Sequence, residues 1–115
     1  NFKISYMVKT TTIDQMINKF GKPDFVKIDV EGHELKVLMG LSQKIDTIVF
    51  EANFTESRKY TIGCIEHIYS LSSSYLFNYG FDTGLENNQW MTKEEIKAFL
   101  LKSKLKYLNV YCKIF

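Results

Sequence analysis

The six residues Lys27-Ile28-Asp29-Val30-Glu31-Gly32 constrain this chain more than any other segment. They extend an apolar run begun at Phe25-Val26 and lead directly into His33-Glu34-Leu35-Lys36-Val37-Leu38. A strand gives way to a helix across a single glycine. Strand, sharp turn and helix in immediate succession build open α/β sheets, which hold their chemistry in the crevice at the carboxyl ends of the strands. A strand buried on both faces reads apolar throughout. Acids at this strand tip therefore ask for a chemical explanation.

The rest of the chain repeats the pattern. Residues Ile4 to Thr10 alternate in character as a strand does. Thr12-Ile13-Asp14-Gln15 has the spacing of a capping box, and Ile13, Met16, Ile17 and Phe20 follow at helical intervals. Gly21 stops that helix and Pro23 keeps the chain extended. Phe25 to Val30 is the second strand, and Glu34 to Met39 a short helix closed by Gly40. Asp46 to Phe50 is a third strand ending in Glu51-Ala52-Asn53. Ile62, Ile65, Ile68 and Tyr69 mark an amphipathic helix that Ser72-Ser73-Ser74 breaks. Tyr75 to Phe81 is a fourth strand, and Gly84 to Gln89 a polar loop. Thr92-Lys93-Glu94-Glu95 is a second capping box, opening a helix with Ile96, Phe99 and Leu100 inward. Leu105 to Phe115 is the last strand, with Leu108, Val110, Cys112 and Ile114 on one face and Tyr107 and Tyr111 on the other. This order predicts one α/β domain over 1–115 with a mainly parallel sheet wrapped by helices.

Composition removes several function classes. A net charge of +2, with lysines scattered among acids, gives no electrostatic case for nucleic acid or an acidic membrane surface. The apolar runs are too short to span a bilayer, and no basic-then-apolar leader is present. A cytoplasmic location follows by default. Cys64 and Cys112 sit on apolar faces in unlike contexts and read as buried free thiols. There is no CxxC, HExxH or GxxxxGK[ST].

The strand tips supply the candidate residues. Phe25, Lys27, Asp29 and Glu31 point to one side of their strand, and Val26, Ile28 and Val30 to the other. A charge at Lys27 needs an acidic partner if buried; Asp29 and Glu51 are the candidates. Glu34 is explained by the helix dipole. His33 is a candidate base or an ordinary surface histidine, and His67 reads as surface. If the third strand neighbours the second, Asp29, Glu51 and Asn53 converge. Their oxygens suit Mg²⁺ or Ca²⁺, or hydrogen bonds to a sugar or other hydroxyl substrate; the residues alone leave both open. Phe54, Tyr60, Tyr79 and Trp90 stand near loops, as core packing or as a wall for a ring-shaped ligand.

Thr10-Thr11-Thr12-Ile13-Asp14, Pro23-Asp24-Phe25-Val26-Lys27-Ile28-Asp29-Val30-Glu31-Gly32, and then Glu34 with Val37-Leu38-x-Gly40 resemble the FkbM-type methyltransferases. The strong part covers Val8 to Gly40. The resemblance is looser through Ile48-Val49-Phe50-Glu51 and Tyr79-Gly80-Phe81. It implies a class I, Rossmann-like three-layer fold whose sheet ends in an antiparallel strand pair, here Tyr75–Phe81 with Leu105–Phe115. It also implies methyl transfer from S-adenosylmethionine, usually to an oxygen of a small molecule or sugar. On that resemblance the catalytic candidates are Asp29 first, then Glu31, Lys27 and His33. Glu51 and Asn53 are the substrate-binding candidates. Such folds hold the cofactor on a Gly-rich turn. All six glycines here lie at or after Gly21 and none forms one. No cofactor-binding residue and no metal ligand is assigned. The chain looks like the C-terminal half of such an enzyme, or a non-catalytic remnant of the fold that serves as a binding module.

Overall fold

The computed structural model describes residues 2–5, 11–54, 58–81 and 84–115, the first of these as a backbone strand. Its elements run β1 (Phe2–Ser5), α1 (Ile13–Phe20), β2 (Phe25–Asp29), α2 (Glu34–Leu38), β3 (Thr47–Asn53), α3 (Arg58–Leu71), β4 (Tyr75–Phe81), β5 (Gly84–Leu85), α4 (Lys93–Lys102) and β6 (Tyr107–Ile114). The alternation expected from the sequence is therefore present. A short strand, β5, is added in what reads as a polar loop. Strand β1 lies at the start of the Ile4–Thr10 segment and before it; residues 6–10 fall outside the described residues.

Local chemistry accounts for the helix starts. At α1 the Gln15 amide donates to Thr12 Oγ1 at 3.1 Å, and the Thr12 amide donates back to Gln15 Oε1 at 2.9 Å. Thr92 and Glu95 make the same reciprocal pair at α4, at 3.2 and 2.9 Å. Each pair satisfies amides that a helix N-terminus would otherwise leave without a partner.

The sheet order is β1-β2-β3-β6-β4-β5. Strands β1, β2 and β3 pair in parallel, while β6 is antiparallel to both β3 and β4, and β5 to β4. The expected pairing of Tyr75–Phe81 with the last strand holds, with Tyr75 opposite Ile114 and Phe77 opposite Cys112. The expectation of a mainly parallel sheet does not hold. β1 to β4 share a direction, but β6 wedges between β3 and β4 and runs against them. Among the described residues three of the five strand pairings are thereby antiparallel, and the sheet is mixed.

One face of this sheet carries Val26, Ile28, Ile48, Phe50, Ala52, Leu108, Val110, Cys112, Tyr75 and Phe77, which form the core with Ile13 and Ile17 of α1, Leu38 of α2, Cys64, Ile65 and Ile68 of α3, and Ile96 and Leu100 of α4. All four helices thus cover the same face. The expected three-layer sandwich is, among the described residues, two layers. Lys27, Asp29, Val49, Glu51, Asn53, Tyr107, Asn109 and Tyr111 belong to the opposite face by register, and Val49 is buried without joining the core cluster.

The two halves of the segment quoted above are tied together in space. The Asp14 amide donates to Gly40 O at 3.0 Å, and the Ser42 amide donates to Asp14 Oδ1 at 2.8 Å. A Cβ at Gly40 would lie 2.9 Å from Thr12 Cβ, so glycine is what lets the end of α2 approach the cap of α1.

Candidate functional site

Strands β2 and β3 are parallel neighbours, with Ile28 opposite Phe50, so the next residues along each, Asp29 and Glu51, sit side by side. On the other side of β3, Glu51 is opposite Asn109 and Asn53 opposite Tyr107. The result is an open cleft of about 400 Å³ lined by Lys27, Asp29, Glu51, Asn53, Lys106, Tyr107 and Asn109. That volume lies within the range of small-molecule sites. Two lysines face two carboxylates there, with amides and a phenol between them, a lining that suits a hydroxylated ligand.

A second, much smaller cleft of about 50 Å³ opens on the helix side of the same tip. It is lined by Glu31, Gly32, Glu34, Phe50, Glu51, Asn53, Tyr60, Thr61 and Cys64. It has room for little more than water. Glu51 and Asn53 border both clefts.

The turn between β2 and α2 is built by Glu34. This side chain is only 5% exposed. Its Oε1 accepts from the Gly32 amide at 3.0 Å and its Oε2 from the Val30 amide at 3.3 Å. Between those amides Glu31 takes φ +44° and Gly32 φ +93°, both left-handed. A carboxylate that accepts two backbone hydrogen bonds is a structural clamp, a more specific role than the helix-dipole explanation expected from its position.

The electrostatics single out Glu51. Its pKa is raised above the ordinary carboxylate value, first by burial and then by the charges of Asp29, Glu34 and Glu31, with Lys27 acting in the opposite direction. Cys64 borders the small cleft, but burial, aided by Glu34, pushes its thiol up to about 12, so it is a protonated thiol at neutral pH. Cys112 is raised well above the usual thiol value by burial, and both cysteines are free and buried, as the sequence suggests.

Of the expected site residues, Lys27, Asp29, Glu51 and Asn53 come together in the larger cleft, while Glu31 turns to the smaller one. His33 borders neither cleft and stands at the N-cap of α2, where its side chain makes no capping bond. His67, expected at the surface, is half-buried with Nε2 2.9 Å from Leu41 O. Lys106, Tyr107 and Asn109 were not foreseen in the site, because nothing local in the sequence says that β6 lies beside β3. Among the aromatic candidates only Tyr60 reaches a cleft. Tyr79 stacks on Phe99 at 4.2 Å, Trp90 meets Phe115 edge-on at 5.1 Å, and Phe54 packs beneath Arg58 at 4.9 Å. Among the described residues no group of three or more His, Cys, Asp or Glu side chains could hold a metal ion, and no helix is long and apolar enough to cross a membrane.

No solved structure matches the chain significantly. One curated relative is the hexuronic acid methyltransferase AglP of Haloferax volcanii, 40% identical over 48 residues. The match covers 40% of this chain and 20% of that protein, so the chain spans only a small part of the relative's length. The family model for the methyltransferase FkbM domain matches residues 2–102. That span takes in β1 to α4 and both clefts up to β6, and the mixed α/β sheet is compatible with a methyltransferase-like fold. The chain therefore belongs to the FkbM methyltransferase family.

Proposed function

We propose that this chain is the acceptor-binding half of an S-adenosylmethionine-dependent methyltransferase that methylates an oxygen of a small molecule or sugar. The single observation that carries the reading is the convergence of Lys27, Asp29, Glu51 and Asn53 with Lys106, Tyr107 and Asn109 in one cleft at the carboxyl ends of β2 and β3. This is where open α/β sheets bind ligands. The relative's name, a hexuronic acid methyltransferase, supports a sugar as the acceptor class.

The described residues do not form a cradle for the cofactor. The amides of Val30 and Gly32 at the β2 tip are already engaged by Glu34, and no Gly-rich turn follows a parallel strand. We assign none of these residues to the cofactor. When bound, S-adenosylmethionine supplies an activated methyl group, so the protein's task is alignment of the acceptor oxygen and removal of its proton. Asp29 touches the acceptor hydroxyl, orienting it or taking its proton. Lys27, on the same face, brings a positive charge beside the carboxylates and opposes the rise at Glu51, and Asn53, Lys106 and Asn109 have the donors to fix sugar oxygens. Glu31 is the next candidate for holding the acceptor, from the turn at the same tip.

The test is Asp29→Asn in the full protein that carries this chain. Cofactor affinity, followed by calorimetry, should remain near wild type. Turnover, read as S-adenosylhomocysteine release over a panel of sugar acceptors, should fall at least tenfold. Unchanged turnover would remove Asp29 from the reaction centre. A full protein that binds a sugar acceptor but no cofactor would favour a binding module instead.

A further inference from the structure

The large cleft is lined by two lysines and two acids, so its selectivity lies in how they are laid out and not in a net charge. Asp29 and Glu51 occupy neighbouring strand tips, and Lys27, one row below them beside Val49, acts on Glu51 with its charge. The far wall is different. Tyr107 and Asn109 stand on β6, and Lys106 precedes them at the rim. We propose that this β6 wall is an anion subsite with Lys106 as its specificity-determining residue, and that the acceptor is a sugar acid whose carboxylate lies on Lys106 while its hydroxyls face Asp29. The assignment deepens the acceptor-binding reading above and rests on it.

The strand register sets the layout. Glu51 is opposite Asn109, and two residues further along Asn53 is opposite Tyr107. The Phe54 amide donates to Lys106 O at 2.8 Å, which places Lys106 one residue beyond that pair. Strands lie about 5 Å apart and rise about 3.4 Å per residue, so the Lys106 backbone stands about 10 Å across the sheet from that of Asp29 and about 10 Å further along it. That separation exceeds the screening length of about 8 Å at physiological ionic strength, so Asp29 does little to quench a charge at the Lys106 rim. Between the two ends the cleft of about 400 Å³ has room for one sugar residue. A sugar acid lying across it meets carboxylates at one end and a cation at the other.

The wall suits a carboxylate in its donors as well as its charge. Asn109 is only 6% exposed, and Tyr107 meets the Phe81 ring edge-on at 6.0 Å, so packing holds both in place. The Asn109 amide and the Tyr107 hydroxyl can each donate a hydrogen bond, and Lys106 adds an ammonium with three donors. Donors of this kind bind an ionised oxygen about twice as strongly as a neutral one. The reverse orientation sets the ligand's carboxylate beside Asp29 and Glu51, where like charges repel.

The experiment is titration calorimetry on the full protein that carries this chain, without cofactor. The probes are glucuronic, galacturonic and mannuronic acids, each against its neutral counterpart glucose, galactose or mannose. A hydrogen bond to a charged group is worth about tenfold or more, so at least one acid should bind about tenfold tighter than its neutral partner. Lys106→Gln, folded by circular dichroism, should bring that ratio to within about twofold of unity. Lys106→Arg should keep the ratio, and Lys106→Glu should invert it. Raising NaCl from about 0.02 M to about 0.5 M should shrink the wild-type ratio. A general loss of structure weakens both members of a pair and leaves the ratio unchanged, so the ratio reports the subsite itself. Equal affinities in wild type, or a ratio that survives Lys106→Gln, overturns the anion subsite and leaves the acceptor cleft standing. Folded wild-type protein that binds none of these sugars overturns the sugar reading of the cleft, and the anion subsite with it.

Discussion

Replacing Glu34 by alanine removes the acceptor of two backbone amides at once. The wild-type carboxylate is 5% exposed and holds the Gly32 and Val30 amides at 3.0 and 3.3 Å. A hydrogen bond to a charged group contributes about 1.5–3 kcal/mol, so two give about 3–6 kcal/mol. Relief of the buried carboxylate's desolvation offsets part of this, leaving a loss of about 3 kcal/mol. An unfolding entropy of about 2.1 cal/mol/K per residue gives about 0.24 kcal/mol/K for a chain of this length, or about 4 °C per kcal/mol. The melting temperature of Glu34→Ala should therefore drop by about 12 °C. Glu34→Gln keeps one accepting oxygen but turns an NH₂ toward the other amide, and should fall between. Were Glu34 only a favourable charge at a helix start, the loss would be about 0.3–1 kcal/mol. Urea unfolding followed by circular dichroism separates the two cases. A loss below about 1 kcal/mol for Glu34→Ala would refute the clamp.

The other predictions concern packing and titration. Gly40→Ala drives a methyl group to 2.9 Å from Thr12 Cβ and should cost about 1–3 kcal/mol in urea unfolding; Thr12→Ser in the same chain removes the Cγ2 contact at 3.1 Å but keeps the Cβ contact, and should regain only part of the loss. Glu51 binds its proton more tightly folded than unfolded. Wild-type stability should therefore fall as pH rises from the ordinary carboxylate value of 4.5 through the raised folded value. Glu51→Gln, which does not titrate, should gain relative to wild type across that window; parallel curves for the two proteins would contradict the raised pKa. Asp29→Asn tests the site itself, as set out above.

The two motifs that carried the resemblance were readable because each is local. A capping box needs only residues three apart, and a strand that ends in Glu31-Gly32 announces its turn through the left-handed angles that glycine tolerates. The faces of β2 were equally legible, since alternation along a strand assigns Lys27 and Asp29 to the face opposite Val26 and Ile28 without knowing what lies across from them. That β3 would lie beside β2, bringing Asp29, Glu51 and Asn53 together, followed from the short connection between them.

Three features depended on contacts that no local pattern encodes. The role of Glu34 could not be read, because a helix-start acid looks the same whether it faces water or reaches back to two amides. The cluster around Glu51 joins acids from β2, a turn, α2 and β3, and its electrostatics exist only once those segments meet. The site's third wall, Lys106, Tyr107 and Asn109, required β6 to enter between β3 and β4 instead of at an edge. The amino-acid order by itself determined the helices, the longer strands and the polar face of β2, since these follow from dihedral preference and side-chain period over a few residues; the two-residue β5 escaped it. The place of β6 between β3 and β4 was decided by tertiary structure. Burying Leu108, Val110 and Cys112 between Ile48, Phe50, Ala52 and Phe77 joins residues far apart in sequence, and that burial is what completes the cleft on the sheet's other face.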